Sequence, residues 1–257
     1  MTPCDAGGGL ARLEVMGTVV SFAIRGPAPA TLLERALYEA VSWLRWVDET
    51  FSTYKSGSEV NRFDRGELPP SGCCPEVRQV LALCHQLNQG TGGFFDAWAR
   101  GRWDPSGVVK GWSIDRASDI LLAHGLGDHI VDGGGDVRLR GAPRPGATWT
   151  VGVRHPLQRD AFAAALAVGA GAVATSGTYE RGLHVLDPFT GRAACTLASV
   201  TVVGPDLTTA DAYATAALAM GRAAPGWLET LDGYDAQVTT PEGRGWSTEG
   251  FKRLRVA

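Results

Sequence analysis

Several short segments hold residue types whose spacing could do chemistry. In TTADAYATAALAM, Asp211 and Thr215 stand four residues apart, the spacing that puts two side chains on one face of a helix. Magnesium commonly takes one or two carboxylates with hydroxyl or carbonyl oxygens and leaves its other positions to water and phosphate, so this pair could hold such an ion. An Asp in a first helical turn also serves the helix dipole with no ion at all. Lys110 lies in DPSGVVKGWSID, where a glycine-bearing turn leads into an apolar helix start that could offer backbone groups and one cation to a phosphate ester. A solvated lysine on a first turn fits the same letters. Asp96, in GGFFDAW, stands behind Phe94 and Phe95. A carboxylate beside two aromatics could grip the polar edge of a stacked ring, or cap a turn whose phenylalanines enter the core. His184, in TSGTYERGLHVLDPFTG, sits in an apolar run that stops at the Asp187-Pro188 turn. An imidazole with an ordinary pKa near ~6.5 suits a general base, and a hydrogen-bonded structural histidine suits the same place. In that segment Ser176-Gly177 reads as a turn and Glu180-Arg181 as an ion pair or rim.

Secondary structure must position these groups. Residues 13–25, LEVMGTVVSFAIR, alternate as one long strand. Leu33, Leu37, Ala40, Leu44 and Val47 fall on one helical face. Val77, Val80, Leu81, Cys84 and Leu87 fall on another, between Pro75 at a helix start and Gly90 beyond its end. Strands are expected over 129–138, 148–154, 161–173, 183–186 and 199–203, with a helix over 209–220 and a shorter one around 227–231. Strands grouped with few helices predict an α+β fold, with helices packed on mainly antiparallel sheet. The expected layout is a single domain over 13–257 after a flexible N-terminus over 1–12.

Composition removes several classes. The net charge of −3 over 257 residues gives no global basic field, so no nucleic-acid partner is expected. No apolar run approaches the ~20 residues that span a bilayer, so no membrane insertion is expected. The opening MTPCDAGGGL lacks the basic and apolar regions of a signal peptide, which fits a cytoplasmic location. Cys4, Cys73, Cys74, Cys84 and Cys195 are odd in number and scattered, the pattern of free thiols. Neither a C-x2-C nor an H-x3-H pair supports zinc. There is no G-x-S-x-G, no G-x-x-x-x-G-K-[ST] and no H-E-x-x-H. The triplet Gly133-Gly134-Gly135 leads into a strand and lacks the dinucleotide spacing.

In their order along the chain the segments resemble the FAD:protein FMN transferases, the ApbE family. The resemblance runs through VMGTVVSF at 15–22, ETFSTYKSGSEVNRF at 49–63, GGFFD at 92–96, SGVVKGWSID at 106–115 and DGGGDV at 132–137. It continues with ATSGTYER at 174–181, LHVLDPFTG at 183–191, SVTVVG at 199–204 and ADAYATA at 210–216. It implies a fold similar to tunnelling-fold units and transfer of FMN from FAD to a threonine hydroxyl of an acceptor protein through a phosphoester, with release of AMP. Carried over by position, it implies flavin contacts at Met16, Tyr54, Phe94, Phe95 and Asp96, with Asp104, Lys110 and His184 also lining the FAD site. The metal, magnesium with manganese as the alternative, is implied on Asp211 and Thr215 with backbone help near Gly107 and Ala214. His184 is the expected base for the weakly nucleophilic threonine.

The sequence departs from the family pattern in places. Many relatives carry a lipidated cysteine after an apolar segment, and Cys4 has no such run before it. Only AWARGRW links Asp96 to Asp104, which shortens a wall of the FAD site; the usual DxGGxAKG reads DPSGVVKG; and VDGGGD lacks the usual Asn. Hydrolysis of FAD to FMN and AMP, or flavin binding without turnover, are the alternatives to transfer.

Overall fold

The computed structural model describes residues 2–4, 8–158, 160–178 and 185–256. At its centre is an antiparallel sheet of nine strands. In spatial order these are β1 (Thr2–Cys4), β2 (Gly8–Val15), β3 (Thr18–Ile24), β4 (His129–Gly133), β5 (Asp136–Arg140), β8 (Gly171–Gly177), β9 (Ser199–Gly204), β10 (Asp235–Thr239) and β11 (Gly245–Ser247). Between β5 and β8 the chain leaves the sheet to form a separate two-stranded ribbon, β6 (Trp149–Arg154) with β7 (Phe162–Val168). Among the described residues the α-helices are α1 (Ala30–Phe51), α2 (Glu59–Asp64), α3 (Pro75–Gly90), α4 (Ser106–Ala123), α5 (Leu207–Met220), α6 (Ala224–Leu228) and α7 (Glu249–Leu254). The architecture is the α+β one expected.

Helix faces follow the apolar spacing. Leu33, Leu37, Ala40, Leu44 and Val47 of α1 are all buried, as are Val77, Val80, Cys84 and Leu87 of α3. Leu81 is only partly covered, and Gly90 is the last residue of α3 rather than lying past it. The sheet differs from expectation at its turns. Residues 13–25 form two strands joined at Met16 and Gly17, both with positive φ (54° and 69°), which is the two-residue turn that matches strand twist. Gly134 and Gly135 likewise divide 129–138 into β4 and β5, and Gly169-Ala170 separates β7 from β8. Residues 9–12, expected to be flexible, are paired with β3 instead. The short helix sits at Ala224–Leu228, N-terminal of the expected stretch, and the strand expected over 183–186 falls partly outside the described residues.

Among the described residues three apolar clusters result, one of them between the sheet and the β6–β7 ribbon through Leu139, Trp149, Leu166 and Phe251. Of the two that involve the helices, one lies between the sheet and α1, α4 and α5, and includes Phe22, Ile24, Leu44, Ile114 and Leu218. The other joins α1, α3 and α4 through Val47, Val80, Cys84, Trp103 and Trp112. Helix α4 serves both of these, which is why its apolar residues ring it instead of lining one stripe. Among the described residues no helix is long and apolar enough to cross a membrane.

Candidate active site

The site is built from the N-terminal half of α5 outward. Helix N-termini leave backbone N–H groups without partners, and here two carboxylates supply them. Asp206 Oδ1 accepts from Thr209 N–H at 2.7 Å. Asp115, reaching across from α4, accepts from the N–H groups of Leu207 (3.1 Å) and Thr208 (2.8 Å) and from the Thr208 hydroxyl (2.6 Å). Burial pushes the Asp115 carboxyl up, opposed by those Thr208 bonds and by Arg138, whose Nε lies 3.1 Å from Asp115 Oδ1. The helices touch at Gly111, where a Cβ would stand 2.6 Å from the Leu207 carbonyl oxygen, so only glycine fits. Together these contacts set the distance between Lys110 and Asp211.

Asp211 is 3% exposed, and Lys110 Nζ lies 3.5 Å from its Oδ2. The same ammonium donates to Asp136 Oδ2 on the first residue of β5. Asp136 is buried, and its Oδ1 accepts from Thr175 N–H of β8 at 2.7 Å. One lysine is therefore held between two buried carboxylates from different elements. Charge-assisted bonds of this kind offset the cost of taking ions out of water. One turn beyond Asp211, the Thr215 hydroxyl lies 3.1 Å from that of Ser176 on β8. Beside the cluster, burial pushes the Asp132 carboxyl up, opposed by the Gly135 N–H that it accepts at 2.8 Å.

The other expected residues fall around this centre. Met16 sits in the β2–β3 turn, its N–H donating to Asp48 Oδ1 (3.1 Å) and its Sδ 3.7 Å from Ser113 Oγ on α4. Tyr54 is 96% exposed on a loop where Ser52 Oγ accepts from the N–H groups of Tyr54 and Lys55. Phe95 is buried, its ring 3.2 Å from where a Cβ on Gly107 would be, in the first turn of α4. Phe94 is half-buried and meets Phe189 edge to face. Asp96 Oδ1 accepts from Trp98 N–H at 2.8 Å, and Asp104 Oδ1 from Ser106 N–H at 3.1 Å where α4 begins. Lys110 stands in the second turn of α4, and Ala214 is fully buried. His184, Glu180 and Arg181 lie outside the described residues. Two members of the assembly, Asp136 and Asp115, have no role that the sequence alone assigns, and Ser176, read with Gly177 as a turn, lies instead in β8, where pairing with β9 holds both residues extended. The paired aspartates flanking the glycines of DGGGD are the one signal that could have pointed to Asp136.

The donors of Asp211, Thr215, Ser176 and nearby backbone carbonyls are hard oxygens, the type magnesium takes, and Asp211 already faces one cationic group. Among the described residues no three His, Cys, Asp or Glu side chains converge, so a metal here would draw on hydroxyl and backbone oxygens alongside the carboxylate. The residues present fit a hard divalent cation.

The fold and site define an α+β protein whose polar centre, one ammonium among carboxylates and hydroxyls, is assembled where two helices meet the sheet. The chain belongs to the ApbE family, whose model matches residues 16–103 and 98–238. It is 34% identical to the FAD:protein FMN transferase of Vibrio cholerae over 128 residues, which are 46% of this chain and 38% of that protein. It is 33% identical to the FAD:protein FMN transferase of Treponema pallidum over 175 residues, 60% of this chain and 48% of that protein. The matched stretches thus span less than half the length of these relatives. Among solved structures it is similar to the ApbE protein of Thermotoga maritima, with TM-score 0.84 and 24% identity, covering 97% of this chain and 100% of that one. The flavin transferase ApbE of Vibrio cholerae follows at TM-score 0.80 and 24% identity, with 96% and 99% covered. At these identities the structural likeness is one of fold.

Proposed function

We propose that this chain transfers FMN from FAD to a threonine hydroxyl of an acceptor protein, forming a phosphoester and releasing AMP, with magnesium as the required ion. The observation that carries the reading is Lys110 held between Asp136 and Asp211, beside the Thr215 and Ser176 hydroxyls. Splitting a pyrophosphate needs negative charge on its oxygens neutralised and the attacking oxygen held in line. Lys110 supplies one fixed positive charge, and its two carboxylates keep it aimed. Asp211 and Thr215, with carbonyls near Gly107 and Ala214, would hold magnesium, which when bound supplies further neutralisation at the phosphates. Manganese is the alternative ion. Met16, Tyr54, Phe94, Phe95 and Asp96 contact the flavin, and Asp104, Lys110 and His184 also line the FAD site. His184 takes the proton of the acceptor threonine. The described cysteines Cys73, Cys74, Cys84 and Cys195 are free thiols, which supports a reducing compartment such as the cytoplasm.

The test is incubation with FAD and magnesium, with and without an acceptor domain carrying a flavinylation threonine. Fluorescence that survives denaturation on the acceptor, with equimolar AMP, is expected, and both should vanish with EDTA or in Asp211→Ala. AMP without labelled acceptor would replace transfer by hydrolysis. No AMP with intact FAD binding would leave a flavin-binding protein without turnover.

A further inference from the structure

Phe189 is 66% exposed yet firmly held. Residues 185–194 fold back on themselves: Ala194 N–H donates to the Val185 carbonyl (2.9 Å) and Asp187 N–H to that of Arg192 (2.8 Å). At the tip, Asp187 Oδ1 accepts from Phe189 N–H (2.9 Å) and Oδ2 from the Thr190 hydroxyl (2.8 Å), bonds that hold the carboxyl below its usual range. This tip presents the Phe189 ring to the GGFFD loop. The ring stands 4.9 Å from that of Phe94 at 67°, and a Cβ on Gly93 would lie 3.0 Å from its far end. The next residue, Phe95, rests on Gly107, one turn of α4 before Lys110. Two loops distant in sequence therefore bring an aromatic corner to the N-terminal end of the helix that carries the site lysine.

An exposed phenylalanine fixed by backbone bonds on one side and a second ring on the other has its outer face open. The geometry points to Phe189 as a specificity-determining residue that, with Phe94, forms an apolar corner stacking the isoalloxazine ring of the substrate. The inference rests on the proposed use of FAD. Between that substrate's two ring systems, the flavin has the larger apolar surface, and a Phe-Phe corner has no donor or acceptor with which to read an adenine edge. Stacking on an aromatic face depends on the π-system, so a tyrosine substitutes and an aliphatic side chain does not.

The experiment is titration of FAD, FMN and ADP, each with magnesium, into wild type, Phe189→Tyr and Phe189→Leu, followed by flavin fluorescence or calorimetry, with thermal melts alongside. Phe189→Tyr should bind FAD and FMN within about twofold of wild type, and Phe189→Leu roughly tenfold more weakly, with ADP affinity and melting temperature unchanged in both. Equal flavin affinity for Phe189→Leu and wild type overturns the inference while leaving FAD as substrate. Weakening of ADP instead of FMN overturns it by assigning the corner to adenine. Wild type that binds no flavin would remove the proposed function itself, and the inference with it.

Discussion

Replacing Gly111 by alanine sets two physical effects of opposite sign against each other. In the interior of a helix, alanine is favoured over glycine by roughly 0.5–1 kcal/mol, so propensity alone makes Gly111→Ala stabilising. At this position, however, the new Cβ would lie 2.6 Å from the Leu207 carbonyl oxygen, 3.0 Å from its carbon and 3.0 Å from Thr208 Cα. All three atoms are backbone, so none can rotate away, and the first turn of α5 must move off α4. Overpacking of a closed interface costs about 1–3 kcal/mol, and here it also stretches the three bonds that Asp115 accepts from Leu207 and Thr208. The steric cost outweighs the helical preference, and Gly111→Ala should lose about 1–2 kcal/mol net, a fall in melting temperature of roughly 2–8 °C for a chain of this size. The control is Gly226→Ala in α6, where nothing lies within 4 Å of the added Cβ and only propensity acts. It should leave stability unchanged or raise it slightly. Urea denaturation followed by far-UV circular dichroism reads both. A Gly111→Ala protein as stable as wild type would refute the close approach, and with it the explanation of how Lys110 and Asp211 are spaced.

The imidazole of His129 is buried between the Leu126 carbonyl (2.6 Å from Nδ1) and Ser118 Oγ (2.7 Å from Nε2), and burial pushes it down to about 4. The unfolded chain takes up a proton near pH ~6.5 that the folded chain refuses, so stability is full above that pH and about 2–3 kcal/mol is lost as pH falls towards 4. Urea midpoints at pH 7 and 4.5 should converge for wild type and His129→Gln as the pH drops; parallel profiles would rule the mechanism out. Asp136→Asn keeps an acceptor for Thr175 N–H but removes a charge facing Lys110, and should cost about 1–3 kcal/mol in the same assay, whereas an unchanged midpoint would deny the ion pair any part in stability. The Cys84 thiol, pushed up to about 12 by burial, should resist an aromatic disulfide reagent at pH 8 until the protein is denatured, while exposed Cys195 reacts in the native state. Equal native rates would contradict this packing.

What was legible in the sequence was local. The α1 and α3 faces could be read because a helix repeats its burial every turn within one segment. Strands are harder because a two-residue turn reverses which parity faces the core, and that reversal is hidden where both faces of the sheet are covered. In the 129–138 stretch and the residue after it, Val131 is buried against the helices while Val137 and Leu139 are buried on the opposite face of the sheet, against the β6–β7 ribbon, so both faces are covered and the odd-numbered apolar letters run on across the turn at Gly134-Gly135. In 13–25 the phase does shift, from buried Val15 to buried Val20, Phe22 and Ile24, and that slip marks the Met16-Gly17 turn. Asp211 and Thr215 were visible because they share one helix. Asp136 was not, because its role depends on β5 pairing with β8 and on α4 crossing the sheet, neither of which leaves a mark in neighbouring residues. Asp115 went unassigned for the same reason: its partners are the first residues of a helix far along the chain.

The excursion of the β6–β7 ribbon has a bearing on how the molecule folds. Because β5 and β8 are neighbours in the sheet but are separated in sequence by that ribbon, the Asp136–Thr175 bond can form only after a long chain loop has closed. Closure of such loops is entropically unfavourable before the contacts that reward it exist, and folding slows as the sequence separation of the paired residues grows. Hairpins β2–β3, β4–β5 and β6–β7 can therefore form early and independently, whereas Lys110 gains both of its carboxylates only once the sheet has joined across the gap. A nascent or truncated chain would hold the right residues without yet having the centre they build.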